Sequence, residues 1–199
     1  KGSANVDGNT ASDSAGGIYV KGGNLTVTNN SNSSSIEIIN NSAANKGGGI
    51  VVEAGNIVFN KADISNNRAG YDSSREAYGG AICLTDGSIT IDEGSIHDNY
   101  STKYGGAIYA SNSDFSKAAK TISLVGSGLF QKNNASYGGG LYVSGNIDMT
   151  FAGSVVNNNA VNGGALYVGG NGTTDYIFSS IFEGNKANGG VGGAIDWVA

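Results

Sequence analysis

Phe182-Glu183-Gly184-Asn185-Lys186-Ala187-Asn188-Gly189-Gly190-Val191-Gly192-Gly193-Ala194-Ile195 contains the unit from which the whole chain is built. An apolar residue is followed three positions later by Asn, two positions after that by Ala, and then by a glycine pair that opens a short apolar run. The Asn half recurs at Val6 to Asn9, Ile38 to Asn41, Ile64 to Asn67, Ile96 to Asn99, Phe130 to Asn133 and Val155 to Asn158. Ala follows at 11, 43, 69, 135, 160 and 187, with Ser101 the one departure. The glycine half recurs ahead of Ile18, Ile50, Ile82, Ile108, Leu141 and Leu166, at steps of 32, 32, 26, 33, 25 and 29 residues when Ile195 is included. Self-similarity at a period of roughly 20 to 50 residues marks stacked units that cannot bury a core alone. The ragged period indicates a fixed unit with loop insertions.

A third apolar run lies between these landmarks, at Leu25 to Val27, Ile57 to Phe59, Ile89 to Ile91, Ile122 to Leu124, Ile147 to Met149 and Tyr176 to Phe178. Each run alternates apolar with mostly polar residues and favours β-branched side chains, which is strand periodicity, and none leaves room for a helix of three turns. The sequence therefore predicts an all-β fold. It is a single parallel β-helix domain over residues 1–199, with about six coils of three short strands, each strand pairing with its counterpart one coil on at roughly 4.8 Å. The right-handed sense is expected from the general preference of parallel crossovers. In such a coil the glycine pair supplies the left-handed conformations of a sharp corner and leaves space for the next coil. Asn tolerates the left-handed region and can ladder its amide onto the Asn of the next coil.

With 34 Gly, no Pro, 14% charged and 39% hydrophobic residues, the 199-residue chain is too regularly patterned to be disordered. A net charge of −5 without a basic stripe argues against nucleic-acid or anionic-membrane partners. No apolar run approaches the roughly 20 residues that span a bilayer, so direct membrane insertion by this segment is not expected. Cys83 has no disulfide partner. The chain opens on the closing third of one coil and stops in the opening strand of another, which leads us to expect an excerpt of a longer solenoid.

Phe182-Glu183-Gly184-Asn185 with Gly192-Gly193-Ala194-Ile195, and Phe130-Gln131-Lys132-Asn133, resemble the paired Phe-x-x-Asn and Gly-Gly-Ala-(Ile/Leu/Val) repeats of chlamydial polymorphic membrane proteins. The resemblance extends over about residues 6 to 198. It implies a β-helical passenger of an autotransported adhesin, extracellular and held at the cell surface through parts not in this chain. The implied partner is a protein or glycan on a host or neighbouring cell, with no catalytic residue set and no cofactor.

Catalytic constellations are correspondingly thin. Asp92 and Glu93 are adjacent and point apart on a strand, whereas sugar hydrolysis needs two convergent carboxylates about 5 to 9.5 Å apart. Asp148 and Asp175 have no basic residue stacked beside them, and His97 is the only imidazole. No catalytic residue, metal ligand or cofactor is therefore expected.

Two binding candidates remain. If the aliphatic residue after each glycine pair points inward, period two sends the next residue outward. Those outward positions hold Tyr19, Val51, Cys83, Tyr109, Tyr142, Tyr167 and Asp196. Tyr109, Tyr142 and Tyr167 then form a line over about 10 Å. The line fits either a self-stabilising aromatic ladder or a platform for a sugar ring or a flat protein partner. The insertions at 29–35, 70–78, 111–120 and 169–175 are the second candidate, and within them Tyr71 with Arg75, and Phe115 with Lys117, set charge beside an aromatic ring. Alternative readings are a glycan-binding or glycan-cleaving β-helix and a structural spacer. Self-association through terminal strands is compatible with all of them.

Overall fold

The asparagines of the repeat form one uninterrupted stack. In the computed structural model, which describes residues 4–28, 36–72, 74–112, 120–125, 128–170 and 176–198, the Oδ1 of each ladder Asn accepts two bonds from the Asn one coil before it. Asn67 donates its backbone N–H (2.9 Å) and its Nδ2 (3.1 Å) to Asn99 Oδ1, and Asn99 does the same to Asn133 Oδ1 (3.1 and 3.0 Å). The pattern runs from Asn9 through Asn41, Asn67, Asn99, Asn133 and Asn158 to Asn185. Each Nδ2 from Asn41 onward has a further bond to the carbonyl of the motif's apolar residue one coil back, such as Asn99 to Ile64 (2.9 Å) and Asn133 to Ile96 (3.0 Å). The three-residue spacing between the apolar residue and Asn thus places an inward side chain and a carbonyl directed along the stack where the next amide needs them.

On either side of this stack the strands pair in parallel and in register. One sheet collects Ile18–Val20, Ile50–Val52, Ile82–Leu84, Ile108–Asn112, Leu141–Gly145, Leu166–Gly169 and Ile195–Val198 in sequence order. A second sheet holds the middle strands from Asn24–Thr28 onward and the strands that precede each ladder Asn, such as Ile36–Ile39 and Ser95–His97. The two sets fuse in the later coils, where Ile147–Val156 and Tyr176–Glu183 each run through both faces. Two-residue strands such as Ser42–Ala43, Arg68–Ala69 and Tyr100–Ser101 add a short fourth edge beyond the three strands per coil read from sequence. The fold is the expected parallel β-helix.

The core follows from the repeat. Ile38, Ile64, Ile96, Phe130 and Val155 stack along one wall and Ile50, Ile82, Ile108 and Leu141 along another, all essentially inaccessible to solvent. Phe130 meets Phe151 with ring centroids 5.3 Å apart. Burying such a side chain contributes roughly 1.5–3 kcal/mol, and the β-branched majority suits a pleated surface.

The corners divide labour in a way that corrects the expected role of Asn. Left-handed backbone is found one residue before the ladder Asn, at Asn40, Asn66, Asp98, Lys132 and Asn157, with φ between 53° and 57°. The ladder Asn stays out of the left-handed region because its own N–H must point along the stack toward the next Oδ1. At the glycine corner the first glycine takes the positive φ (57° at Gly47, 63° at Gly105), while a Cβ on the second, Gly48, would collide with the carbonyl oxygen of Gly80.

Replacing Asn99 by Ala removes its amide bonds to Asn133 and Ile64 and strands two Asn67 donors in a buried wall. It is expected to lower the unfolding free energy by about 3 kcal/mol, since each buried polar group left unpaired costs roughly 1–3 kcal/mol. Asn60→Ala, outside the ladder, should cost less than about 0.5 kcal/mol. Urea denaturation of both variants checks the difference.

Candidate functional site

Alternation along the glycine-pair sheet turns Tyr109, Tyr142 and Tyr167 outward, and the register Tyr109↔Tyr142↔Tyr167 stacks them. Ring centroids are 5.3 and 5.2 Å apart with interplanar angles of 12° and 6°. Sequence reasoning missed a second row beside it. Tyr78, Tyr104 and Tyr137 each precede a glycine pair and form bridges from coil to coil, with centroids 5.3 and 5.5 Å apart. The Tyr-Gly-Gly triplets at 78–80, 104–106 and 137–139 were the available signal. The left-handed glycine that follows each turns the chain so that the ring folds back over the outer face of the sheet.

The two rows interlock. Tyr78 meets Tyr109 edge-on at 5.0 Å, Tyr104 lies 4.8 Å from Tyr142, and Tyr137 meets Tyr167 edge-on at 5.3 Å. Edge-to-face and offset contacts of this kind contribute about 0.5–1.5 kcal/mol each beyond the area they bury. Because stacked neighbours cover one another's ring faces, the plaque presents ring edges and phenol oxygens to solvent. Earlier in the same row Cys83 and Val51 are fully buried, although alternation points them outward, and Tyr78 and Tyr109 both lie close to Cys83. On the final strand Asp196, at an outward position of the alternation, is largely buried near Tyr167, and Trp197 beside it is 52% exposed.

Burial raises the phenol pKa of Tyr78, Tyr109 and Tyr167, and pushes Tyr142 up to about 12. The Tyr109 and Tyr142 hydroxyls are hydrogen-bonded to Ser111 and Ser144, which face each other across the strands. One rim is charged. Lys103 lies 5.9 and 5.8 Å from the Tyr104 and Tyr137 ring centres and 3.2 Å from Glu76, whose hydrogen bond raises the lysine pKa.

The insertion at 70–78 thereby reaches the plaque through Glu76 and Tyr78. Tyr71 and Arg75 are exposed but make no ring contact with the six tyrosines. The Arg75 carbonyl instead accepts a bond from Thr102 (3.2 Å). Phe115 and Lys117 lie outside the described residues, as do residues 29–35 and 171–175 of two other insertions. Among the carboxylates, Asp92 ends a strand and accepts a bond from Asn60, Glu93 pairs with Lys61 at 3.3 Å, and Asp148 is exposed. His97 sits between Asp63 (3.2 Å) and Asp98 (2.7 Å).

A family profile described as the Chlamydia polymorphic membrane protein (Chlamydia_PMP) repeat matches residues 35–53 and 94–111. Each match spans one complete pairing, Ile38 to Asn41 with Gly47 to Ile50, and Ile96 to Asn99 with Gly105 to Ile108. The chain therefore carries repeats of that kind, in coils other than the one whose motif is spelled most fully. No curated protein and no solved structure matches the chain.

Because the fold holds the Tyr142 proton more tightly than the unfolded chain does, its contribution is intact below the ordinary phenol value of 10.0 and is lost as pH climbs toward about 12. Stability followed by urea denaturation should decline over that window, and Tyr142→Phe should decline less steeply.

Proposed function

We propose that this chain is a non-enzymatic, surface-displayed adhesion module whose contact surface is the double row of tyrosines. The observation that carries this reading is the plaque itself. Six half-buried phenols lie in two stacked rows on one outer face of a rigid stack, with a Lys–Glu pair on the rim. Tyrosine is enriched at protein contact surfaces because it offers a large apolar area and a hydroxyl at low entropic cost. Ring edges and hydroxyls, with the ring faces already stacked, suit the flat surface of a protein on a host or neighbouring cell. Likeness to repeats of a polymorphic membrane protein family supports an extracellular, autotransporter-type setting. The repeated Gly and Asn positions act as scaffold, and the partner is met by residues that vary from coil to coil.

Tyr142 touches rings in both rows and sits at the centre of the plaque. Tyr142→Ala is expected to reduce attachment of coated beads to cells at least tenfold, equivalent to about 1.4 kcal/mol, while the purified chain keeps its β-sheet circular dichroism and loses only a few degrees in Tm. A large fall in Tm with attachment retained would assign the rows to stability alone.

A further inference from the structure

The turn between the ladder Asn and the first corner glycine is not constant. It takes six positions from Asn41 to Gly47 and from Asn99 to Gly105, but five from Asn133 to Gly138 and from Asn158 to Gly163. Two recessed turns thus lie next to one another, with longer turns on either side of them, since Asn185 to Gly192 takes seven.

A row of backbone bonds shows the consequence. Ala44 donates to the Ala11 carbonyl, Gly70 to Ala43, Thr102 to Ala69 and Asn188 to Ala160. Among the described residues the equivalent bond from Ser136 to Ser101 is not made, and Val161 donates to Ser136 (3.0 Å) in place of Ala135. The Ser136 hydroxyl meanwhile donates to the Thr102 carbonyl (2.9 Å). An outer groove of about 190 Å³ opens there, between Tyr100 and Asn188. Its floor is small, formed by Ser101, Ala135 and Ala160, and its walls include Tyr100 and Val161, 37% and 44% exposed. Asn134 lines the same space.

We propose that this groove binds a neutral sugar, a hexose or N-acetylhexosamine unit of a cell-surface glycan. A space of about 190 Å³ holds several waters and is on the scale of one pyranose ring with its hydroxyls. The chemistry matches such a ring at both of its aspects. The Ala135 carbonyl, the Ser136 N–H and Asn134 supply acceptors and donors for hydroxyls that each both donate and accept. Tyr100 and Val161 supply apolar walls for C–H faces. No lining residue is charged, so the groove itself meets hydroxyls rather than a carboxylate, and the neighbouring Arg68 is stacked over the Tyr100 ring at 5.1 Å. The groove and the tyrosine plaque share no residue, so this site stands independently of the adhesion reading.

Saturation-transfer NMR and calorimetry on the purified chain test it with glucose, galactose, mannose, N-acetylglucosamine and N-acetylgalactosamine, against glucuronate and N-acetylneuraminate. At least one neutral sugar is expected to receive saturation and the two acids none. Asn134→Ala should weaken that sugar about tenfold. Inserting one Gly after Ser136, which restores the six-position turn, should abolish binding with Tm retained. Tyr142→Ala should leave sugar affinity unchanged while lowering cell attachment. Four results would each overturn the groove: no saturation of any neutral sugar, equal binding of the acids, affinity unaltered by Asn134→Ala, or loss of sugar binding in Tyr142→Ala.

Discussion

The asparagine ladder is the constraint to which the other parts of this fold are tied. Each Oδ1 accepts both a backbone and a side-chain donor from the coil before it, so adjacent coils cannot slip by one residue without stranding several buried polar groups. Alternation on the strands forbids a slip of one residue but not of two, which would keep every apolar side chain inward. The ladder removes that ambiguity. Once register is fixed, the aliphatic rows fill the core and the left-handed residue before each Asn turns the chain out of the preceding strand.

Fixed register also explains why surface rows are informative in this molecule. A residue at an outward position meets the same position in the next coil at one strand spacing, so whatever stands there in three successive coils becomes a continuous strip. Tyr109, Tyr142 and Tyr167 form such a strip on the strand, and Tyr78, Tyr104 and Tyr137 form one on the turn. Neither strip is required to hold the coils together, since Ser14, Lys46 and Asn162 occupy the turn position in other coils and Val51 and Cys83 the strand position. The glycines and the ladder asparagines are under backbone constraints in every coil. The variable residues are free of those constraints, and the chemistry of contact is found among them.

The fold was legible because its determinants are local and repeated. Gly-Gly at a corner, Asn three residues after an apolar anchor, and alternation on the strands each leave a mark in sequence, and the first tyrosine row followed from period two alone. Its neighbour did not, because Tyr78, Tyr104 and Tyr137 sit in turns, where no periodicity says which way a side chain points. The left-handed position was misplaced by one residue because the sequence shows that Asn is needed without showing whether its backbone or its amide is the reason. The Lys103–Glu76 rim joins residues from two coils through an insertion of irregular length, and the groove beside Asn134 comes from a one-residue shortening that looks trivial until the coils are stacked. Tyr71 and Arg75 stand exposed on a loop that reaches the plaque through Glu76 and Tyr78.

Hydrogen exchange of the ladder amides in the native protein, followed residue by residue by NMR, tests the ladder's governing role most directly. The backbone N–H groups of Asn67, Asn99 and Asn133, although they lie at the ends of turns, should exchange as slowly as the core-strand amides of Ile82 and Ile108, through opening of the stack as a whole. Exchange at the rate of exposed turn amides, with the strand amides still protected, would contradict it and would mean that the aliphatic core alone sets the register.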